Sequence, residues 1–315
     1  MLPPLSRRRA LTAGAIVALT LLLAVLAGQF DWGIGDWQLD HGHSHGDGAP
    51  PRPALRGTVV LDSELSPATP WRDNILRKRI DEPSGIVYHP GRDSLFVVGD
   101  DGRISEIDRD GRRLQRERLG DGDLEGITVD PASGLLYVAV EGRERVLEVE
   151  PDQLQRLREF DIERRKGGFE VFPKGGNGIE AIAFVPDPQR RHGGTFWVAN
   201  QGEGRGDPES ARLVEIALPL SDAGNGRGRI LRVLESRIRD LSGLHYLPAQ
   251  RRLALISDRQ NLYLELSLRG EILLARSLPG HDQEGVAVDG DGAIYIAVDD
   301  DGHGDDAVMK LPPWR

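Results

Sequence analysis

A short motif recurs along this chain, and its recurrence limits the possible folds more than any other feature. Residues 123–130 read Asp-Leu-Glu-Gly-Ile-Thr-Val-Asp, and residues 282–289 repeat them closely as Asp-Gln-Glu-Gly-Val-Ala-Val-Asp. Looser copies occupy residues 82–89, 178–185 and 240–247, and each copy is followed by a second apolar run that ends in a polar residue. A period of roughly 40–50 residues built from strand-like runs is typical of the blades of a β-propeller.

The segments between the apolar runs carry the turn signals of β-hairpins. In the first repeat, Asp101-Gly102 and Asp110-Gly111 separate successive runs. Glycine accepts the positive φ that such tight turns need. The chain of 315 residues also contains 39 Gly and 20 Pro, as expected for many short strands joined by turns. We therefore predict an all-β fold rather than a mostly helical one.

The number of repeats predicts five blades. The last repeat holds three strand-like runs instead of four, and one unassigned strand candidate, Thr58–Asp62, precedes the first repeat. If that strand completes the final blade, no exposed edge remains between the first and last blades. We predict a five-bladed β-propeller over residues 55–315. A six-bladed propeller is the alternative, with a further blade built from residues 55–80 or within residues 150–178.

The N-terminus predicts export from the cytoplasm. Three arginines at positions 7–9 precede an uncharged, mostly apolar run over residues 10–28, which is about the length of a bilayer span. Basic residues before such a run hold that end in the cytoplasm. Residues 1–29 are therefore a signal peptide or a transmembrane anchor. Residues 6–11 also loosely resemble a twin-arginine export signal, although Ala10 replaces the usual aromatic residue.

These alternatives give two locations for the propeller. With a retained anchor, the protein is a single-pass protein of the cell membrane whose propeller lies outside the cytoplasm. With a cleaved signal, it is secreted or periplasmic.

Residues 30–54 read as a flexible linker, because they are rich in Gly, Pro and Asp and show no helical or strand period. Within it, His41, His43 and His45 place three imidazoles at alternate positions. Imidazole suits Zn²⁺, Ni²⁺ and Cu²⁺, so the tract could capture one of these ions. The alternative is a solvated tether whose affinity for metal is weak and incidental.

Charge and cysteine content exclude several classes of function. The formal net charge is −10, which argues against nucleic acid as a partner and favours cationic ligands, including metal ions. The chain has no Cys, which excludes disulfides, a thiol nucleophile and a lipidated Cys anchor.

The polar residues that flank the repeated strands indicate a metal site. In a propeller blade the first strand lines the central channel and the second runs antiparallel beside it. The residue entering the first strand and the residue leaving the second therefore lie near the axis at the same face. The predicted entry level comprises Glu82, Glu125, Glu180, Ser242 and Glu284, and the exit level comprises Asp100, Glu141, Asn200, Asp258 and Asp299.

A ring of carboxylates is unfavourable unless something neutralises it, because like charges at short range repel. Ca²⁺ takes six to eight oxygen ligands in flexible geometry, whereas the absence of His and Cys from these positions disfavours a soft transition metal. We therefore predict a Ca²⁺ site. Its candidate ligands are Glu125, Glu180, Glu284, Asn200, Asp258, Asp299, Glu82 and Glu141. In the alternative, each Glu only accepts backbone hydrogen bonds where two blades meet.

The motifs do not decide whether the protein is an enzyme. His281 precedes Glu284 and His303 follows the last second strand, so both could lie at the same mouth, whereas His89 and His245 have the positions of packing residues. Neither a Gly-x-Ser-x-Gly elbow nor a phosphate-binding glycine loop stands out. Our leading hypothesis is a binding or scaffolding module whose partner is an unidentified small anionic ligand or an envelope protein.

Two other hypotheses remain open at this point. One is a calcium-dependent hydrolase of lactones, esters or phosphoesters, in which Ca²⁺ polarises the substrate oxygen. The other is a structural adhesion module whose carboxylate ring holds no metal.

The repeated motifs also resemble a known family. Together with the N-terminal membrane segment, residues 82–86, 123–127, 241–244 and 283–286 are similar to the SdiA-regulated, YjiK-like family of bacterial envelope proteins. The resemblance covers roughly residues 55–315, and the motifs overlap with those of NHL-type and paraoxonase-like propellers.

The resemblance implies a five-bladed propeller with a calcium site, an N-terminal signal or anchor, and no established enzymatic activity. It points to Glu125, Glu180 and Glu284 as ligands. The chain departs from the family in its His-rich linker and in insertions around the third repeat.

Overall fold

The computed structural model describes residues 53–57, 74–120, 122–173, 178–202, 211–299 and 306–313. Every regular element in these ranges is a β-strand, which confirms the predicted all-β class. No helix in this part of the chain has the length and apolar character of a membrane span. The N-terminal segment, the His41–His45 tract, the strand candidate Thr58–Asp62 and His303 lie outside the described residues.

The strands form successive antiparallel meanders, one for each sequence repeat. The first contains β1 (Pro83–His89), β2 (Ser94–Gly99), β3 (Arg103–Asp108) and β4 (Arg113–Arg118). The second contains β5 (Leu124–Val129), β6 (Leu136–Val140), β7 (Arg145–Glu150) and β8 (Gln155–Ile162), and is followed by the short hairpin β9 (Arg165–Lys166) and β10 (Phe169–Glu170).

The third meander contains β11 (Ala181–Pro186), β12 (Gly194–Ala199), β13 (Arg212–Ala217) and β14 (Gly226–Glu235). The fourth contains β15 (Gly243–Leu247), β16 (Arg252–Ser257), β17 (Leu262–Ser267) and β18 (Ile272–Ser277). The fifth contains β19 (Gln283–Val288), β20 (Ile294–Val298) and β21 (Ala307–Leu311).

The first strands of the meanders follow one another in a closed ring. Strand β1 contacts both β5 and β19, β11 contacts β5 and β15, and β15 contacts β19. Apolar clusters fill the spaces between neighbouring meanders, as where Tyr137 of the second packs on Phe184 and Phe196 of the third. This arrangement agrees with a β-propeller, in which each blade packs face to face on the next.

The repeated glycine of the motif is required because the first strands approach one another very closely. A Cβ atom added to Gly85 would lie 2.1 Å from the carbonyl oxygen of Glu125. At Gly126 it would lie 2.5 Å from the amide nitrogen of Ile182, and at Gly285 it would lie 2.9 Å from that of Ile86. Only glycine permits such contacts between backbones.

A second repeated feature was not predicted. Four third strands carry a largely buried glutamate, opposite the middle of the second strand, that pairs with an arginine. The pairs are Glu106–Arg92, Glu148–Arg158, Glu215–Arg232 and Glu265–Arg252. The fifth meander has Lys310 at this register, stacked 5.3 Å from the centre of the Tyr295 ring. These pairs satisfy charges that would be costly if buried alone.

Within the described residues the last meander has three strands, as predicted, and a segment before β1 lies along its outer edge. Asn74 forms an antiparallel bridge with Met309, and the Ile75 amide donates to the Val308 carbonyl at 2.9 Å. The part of the chain preceding the first repeat therefore does reach the final meander. The backbone pairing with β21 is made by Asn74 and Ile75, whereas the predicted closing strand, Thr58–Asp62, lies outside the described residues.

Two connections between meanders were not predicted. Strand β14 pairs in parallel with β8, which joins the second and third meanders into one eight-stranded sheet. Residues 53–57 join the third and fourth meanders. Ala54 pairs with Glu235 at the end of β14, and Arg56 pairs with Glu271 directly before β18.

The close approach at the glycines predicts the effect of a single methyl group. Gly126→Ala should lower the free energy of unfolding by about 1–3 kcal/mol, because the new Cβ meets backbone atoms that cannot move independently. Gly120→Ala is the control, since nothing lies within 4 Å of its added Cβ. Chemical denaturation of both variants measures the difference. Equal stability of the two variants would contradict the steric role of Gly126.

Candidate metal centre

The entry ends of the first strands and the exit ends of the second strands meet at one end of the ring, which we call the mouth. The pairing register shows how side chains are directed there. In β1, β5 and β19 the register shifts at Ser84, at Glu125-Gly126 and at Glu284 respectively. A β-bulge changes the direction of the side chain it contains. The motif glutamates Glu125 and Glu284 therefore lie at bulges beside the axis.

This register corrects one predicted position. Because Pro83 pairs with Gly99 as Leu124 pairs with Val140, Ser84 is the counterpart of Glu125 in the first meander. Glu82 was predicted at that level, but it lies two residues earlier, in the register of Asp123. The entry level therefore has a hydroxyl, and not a carboxylate, in the first meander.

Three carboxylates converge where the first and second meanders meet. One ligand oxygen from each of Asp100, Asp123 and Glu125 lies within 4.8 Å of the other two, and no other trio of acidic or His residues in the described ranges does this. Asp100 leaves β2, whereas Asp123 and Glu125 enter β5. Ser84 donates a hydrogen bond from its hydroxyl to Asp100.

Burial and neighbouring charge both raise the pKa values in this cluster. Glu125 is 8% exposed, and burial raises the pKa of its carboxyl well above the ordinary range, assisted by Glu180, Asp100, Asp123 and Glu284. Partial burial of the Asp100 carboxyl within the mouth raises its pKa to about 7, although the residue as a whole is exposed. Without a cation, these groups can escape repulsion only by holding protons.

Glu180 and Glu284 influence the cluster through their charges, which raise the pKa of Glu125. Burial raises the pKa of both carboxyls, with further contributions from Glu141 at Glu180 and from Asp258 at Glu284. Glu180 is 5% exposed, and its Oε1 atom has no hydrogen-bond partner within the described part of the chain. A buried oxygen without a donor is costly unless a ligand meets it.

Some of the polar residues at the mouth hold the backbone by hydrogen bonds, whereas others act through their charge. Asn200 accepts the Arg212 amide at 2.7 Å, and Glu141 accepts the Gly178 amide at 3.1 Å, so both support local backbone. At the entry level, the Ser242 hydroxyl donates to the Gln283 carbonyl at 2.6 Å and joins the fourth meander to the fifth. Asp299, in contrast, acts through its charge, which raises the pKa of Asp100.

The predicted ligand set omitted Asp100, which was predicted only as an exit-level residue, and it also omitted the mouth carboxylates Asp123 and Asp240. Asp123 belongs to the tight cluster, and Asp240 is its counterpart in the fourth meander. Burial raises the pKa of Asp240 to about 6, and the charge of Asp258 adds to this effect. Asp123 and Asp240 each stand two positions before the motif Glu or Ser, so the repeated Asp-x-Glu/Ser-Gly pattern could have identified them as mouth residues.

The histidines fall into the predicted groups. His89 is buried and its Nε2 atom lies 3.0 Å from the Gly134 carbonyl, while burial lowers the pKa of His245 to about 4. Both are packing residues. His281 is 78% exposed at its side chain and hydrogen-bonds through Nδ1 to Asp282, next to the mouth.

The donor set at the mouth fits a hard divalent cation. Asp100, Asp123 and Glu125 supply closely spaced carboxylate oxygens, and the charge of Glu180, whose Oε1 atom has no hydrogen-bond partner in the described ranges, acts on Glu125. Carboxylates and water are the ligands that Ca²⁺ and Mg²⁺ prefer, and Ca²⁺ tolerates irregular geometry.

Comparison with known proteins identifies one family. The model of the family described as SdiA-regulated matches residues 73–300, well over half of the chain. No curated protein matches the sequence.

Many solved structures are similar in fold at low sequence identity. Glutaminyl cyclase from Myxococcus xanthus is 14% identical, with 73% of this chain and 89% of that chain covered and a TM-score of 0.48. A protein of unknown function from Bacteroides caccae is 13% identical, with 75% and 79% covered and a TM-score of 0.44. A chain of a nidogen–laminin complex is 14% identical, with 69% and 72% covered and a TM-score of 0.44. None of these values supports an inference about activity.

The raised pKa values predict an unusual dependence of stability on pH. In EDTA, the melting temperature should fall as pH rises from about 5 to about 8, because folded Asp100 and Asp240 hold protons up to about 7 and about 6, whereas the unfolded carboxyls lose them near 3.8. The folded state binds more protons in this range, so raising the pH favours unfolding. Saturating Ca²⁺ should reduce the fall.

The matched variants are Glu125→Gln and Asp152→Asn. Glu125→Gln removes one charge from the cluster and should flatten the dependence in EDTA. Asp152 is 78% exposed in an ion pair with Arg92, so its variant should keep the dependence of the parent protein. A melting temperature that is constant or rises over this range in EDTA would show that the mouth carboxylates are not protonated as inferred.

Proposed function

The chain belongs to the SdiA-regulated family, and on this basis we propose that it is a five-bladed, calcium-binding β-propeller exposed on the cell envelope, where it serves as a binding or scaffolding module. The membership rests on the match over residues 73–300.

The ring of first strands supports the count of five blades. Strands β1, β5, β11, β15 and β19 contact one another in sequence, and β19 returns to β1. In this proposal β8 and β14 remain the outer strands of separate blades. Their parallel pairing is short, limited to Gly226–Gly228 opposite Phe160–Ile162.

One observation carries the proposal of a calcium site: three carboxylates, one of them 8% exposed, whose ligand oxygens lie within 4.8 Å of one another. The groups that raise the pKa of buried Glu125 besides burial are all carboxylates. A divalent cation would convert this repulsion into attraction and would stabilise the mouth. Asp100, Asp123 and Glu125 would hold the ion, and Glu180 and Glu284 would contribute from the axial side.

The role of the ion in this proposal is to order the mouth and to present positive charge to a ligand. A cation held by acidic side chains at an open mouth would accept oxygens of a small anionic ligand or of an envelope protein. Export through residues 1–29, with or without retention in the membrane, would place the propeller outside the cytoplasm, and residues 30–54 would act as the tether.

The first test is a calcium titration of the full-length protein followed by thermal melting and calorimetry. A ligand that binds only the folded state must stabilise it by RT ln(1 + [L]/Kd), about 2.7 kcal/mol at a hundredfold excess over Kd. We expect Ca²⁺ to raise the melting temperature above that in EDTA. Asp123→Asn and Glu125→Gln should abolish the increase, and Asp152→Asn should retain it.

If Ca²⁺ leaves the melting temperature of the parent protein unchanged, the carboxylate cluster is a structural feature and the calcium site is rejected. If Ca²⁺ stabilises both cluster variants as much as the parent, the ion binds elsewhere. Neither result would alter the family or the fold, and the next step would be a search for a protein partner.

A calcium-dependent hydrolase is the second candidate function. The observation in its favour is His281, an exposed imidazole oriented by Asp282 next to the acidic mouth. Such a pair could act as a general base beside a metal that polarises the substrate. A screen of lactones, esters and phosphoesters with Ca²⁺ tests this, and activity that His281→Gln leaves unaltered would exclude His281 as the base.

A further inference from the structure

The last strands of the meanders differ in whether another backbone segment pairs with their outer side. The Leu55 amide donates to the Glu235 carbonyl at 2.9 Å at the end of β14, and the Ile272 amide of β18 donates to the Arg56 carbonyl at 2.7 Å. Residues 74–75 pair with β21, and part of β8 pairs with β14. Within the described ranges, no strand or bridge pairs with the outer side of β4.

A terminal strand of this kind presents backbone donors and acceptors. In an antiparallel pair, alternate residues direct their N–H and C=O groups away from the neighbouring strand. Because β4 is the last strand of its sheet, these groups face away from β3. The segment after Asn74 reaches only the turn before β4 among the described residues, where the Arg77 amide donates to the Gly111 carbonyl at 3.1 Å. Such an edge is a template for a further strand.

An exposed apolar side chain lies on this edge strand. Leu114 is 44% exposed and lies at the register shift between β3 and β4. Leu273 occupies the same position in β18 and is 47% exposed, but Arg56 pairs with the edge of that strand. Leu114 therefore offers apolar contact area on a strand whose sheet ends there.

A cavity of about 340 Å³ lies beside the end of β4, between the first and second meanders. Its apolar lining consists of the buried residues Leu119 and Leu154. Its exposed lining is polar and includes the arginines Arg118 and Arg156 and the carboxylate of Glu117. This volume falls in the range of ligand-binding sites, about 300–1,000 Å³.

Hydrogen bonds hold the two walls of this cavity together. Gln115 of β4 donates from Nε2 to the Pro151 carbonyl at 2.7 Å, in the turn between β7 and β8, and to Glu106 at 2.7 Å. Arg92 bonds to Asp152 of the same turn at 2.6 Å and to Glu106 at 2.9 Å. The turn of the second meander is therefore fixed beside β4, and a ligand meets a preformed groove.

The groove is cationic although the chain as a whole carries a net charge of −10. Strand β4 holds three arginines and one glutamate, and of these arginines Arg116 is paired with Asp81 and Asp101. Arg156 lies 3.7 Å from Glu159 in a partly exposed pair, which contributes little. Antiparallel pairing of two β4 strands would bring arginines together and disfavours a second copy of the chain. The same charges favour an acidic strand.

We propose that β4 and the adjoining cavity, here called the β4 groove, bind an extended acidic segment of a partner polypeptide by strand addition. The partner backbone pairs with the outer edge of β4, its apolar side chains contact Leu114, and its carboxylates meet Arg118 and Arg156. In such complexes main-chain hydrogen bonds provide affinity, and pockets for alternate side chains provide specificity. The inference rests on the binding role proposed above and names a surface for the partner that includes none of the calcium ligands.

The test uses the full-length protein and a synthetic peptide of about ten residues that alternates Glu and Val. Calorimetry measures binding, and hydrogen–deuterium exchange mass spectrometry measures the protection of the β4 amides. We expect the peptide to bind and to slow exchange in β4. A peptide with Lys in place of Glu, and a Glu-Val peptide N-methylated at every amide, should each bind about tenfold more weakly or worse.

The groove variant combines Leu114→Thr with Arg156→Glu, both at exposed positions. It should weaken binding of the Glu-Val peptide by about tenfold or more, because it removes the apolar contact and sets like charges together. The matched control combines Leu273→Thr with Arg269→Glu in the fourth meander, where Arg56 pairs with the outer strand. The control should keep the affinity of the parent, and a melting curve of each variant establishes that it is folded.

Three binding results would overturn the β4 groove: no binding of the Glu-Val peptide, equal affinity in the groove variant and the parent, or equal affinity for the N-methylated peptide. Protection of the β4 amides in the parent without peptide would also overturn it. Analytical ultracentrifugation would then name the occupant, since a mass of two chains indicates a second copy and a mass of one chain indicates another segment of the same chain.

The calcium site is tested separately in the same experiment. Asp123→Asn should abolish the stabilisation by Ca²⁺ and leave the affinity for the Glu-Val peptide unchanged, because Asp123 lies in the mouth cluster and not in the β4 groove. Loss of peptide binding in this variant would contradict the location in the β4 groove. The two proposals therefore fail or succeed independently.

Discussion

The close contact between neighbouring first strands is the constraint on which the mouth depends. At Gly85, Gly126 and Gly285 the adjoining backbone leaves no room for a Cβ atom. The strands can therefore enter side by side, and the residue before each glycine is brought against its counterparts from other meanders. A side chain larger than hydrogen at these positions would separate the strands and would disperse the acidic groups.

This convergence explains why the mouth carboxylates behave as a group. Glu125, Glu180 and Glu284 come from three different meanders, yet the charges of Glu180 and Glu284 raise the pKa of Glu125, and the charge of Glu284 also raises that of Glu180. Burial reinforces the effect because the surrounding strands displace water. A fold that gathers acidic groups in this manner stores repulsion, and binding of a divalent cation or of protons relieves it.

The repeated scaffold carries different chemistry at each junction. Three carboxylates lie where the first and second meanders meet, and His281 with Asp282 lies where the fourth and fifth meet. Where the third and fourth meet, Asn200 and Ser242 support the backbone by hydrogen bonds. A closed ring of similar strands thus supplies several separate positions at one mouth. The buried Glu–Arg pairs of the third strands lie within the individual meanders and stabilise each of them, so the junctions can vary without loss of the framework.

The sequence by itself determined the all-β class, the repeat boundaries and most of the acidic entry and exit residues, because strand alternation, Asp-Gly turns and the motif glycine are local signals. Tertiary structure decided which residues meet. Asp123 joins Asp100 only because one meander's exit faces the next meander's entry. The strand register likewise shows that Ser84, and not Glu82, is the counterpart of Glu125. The contact of Asn74 with Met309 and the pairing of β8 with β14 likewise join segments distant in sequence, for which no local pattern exists.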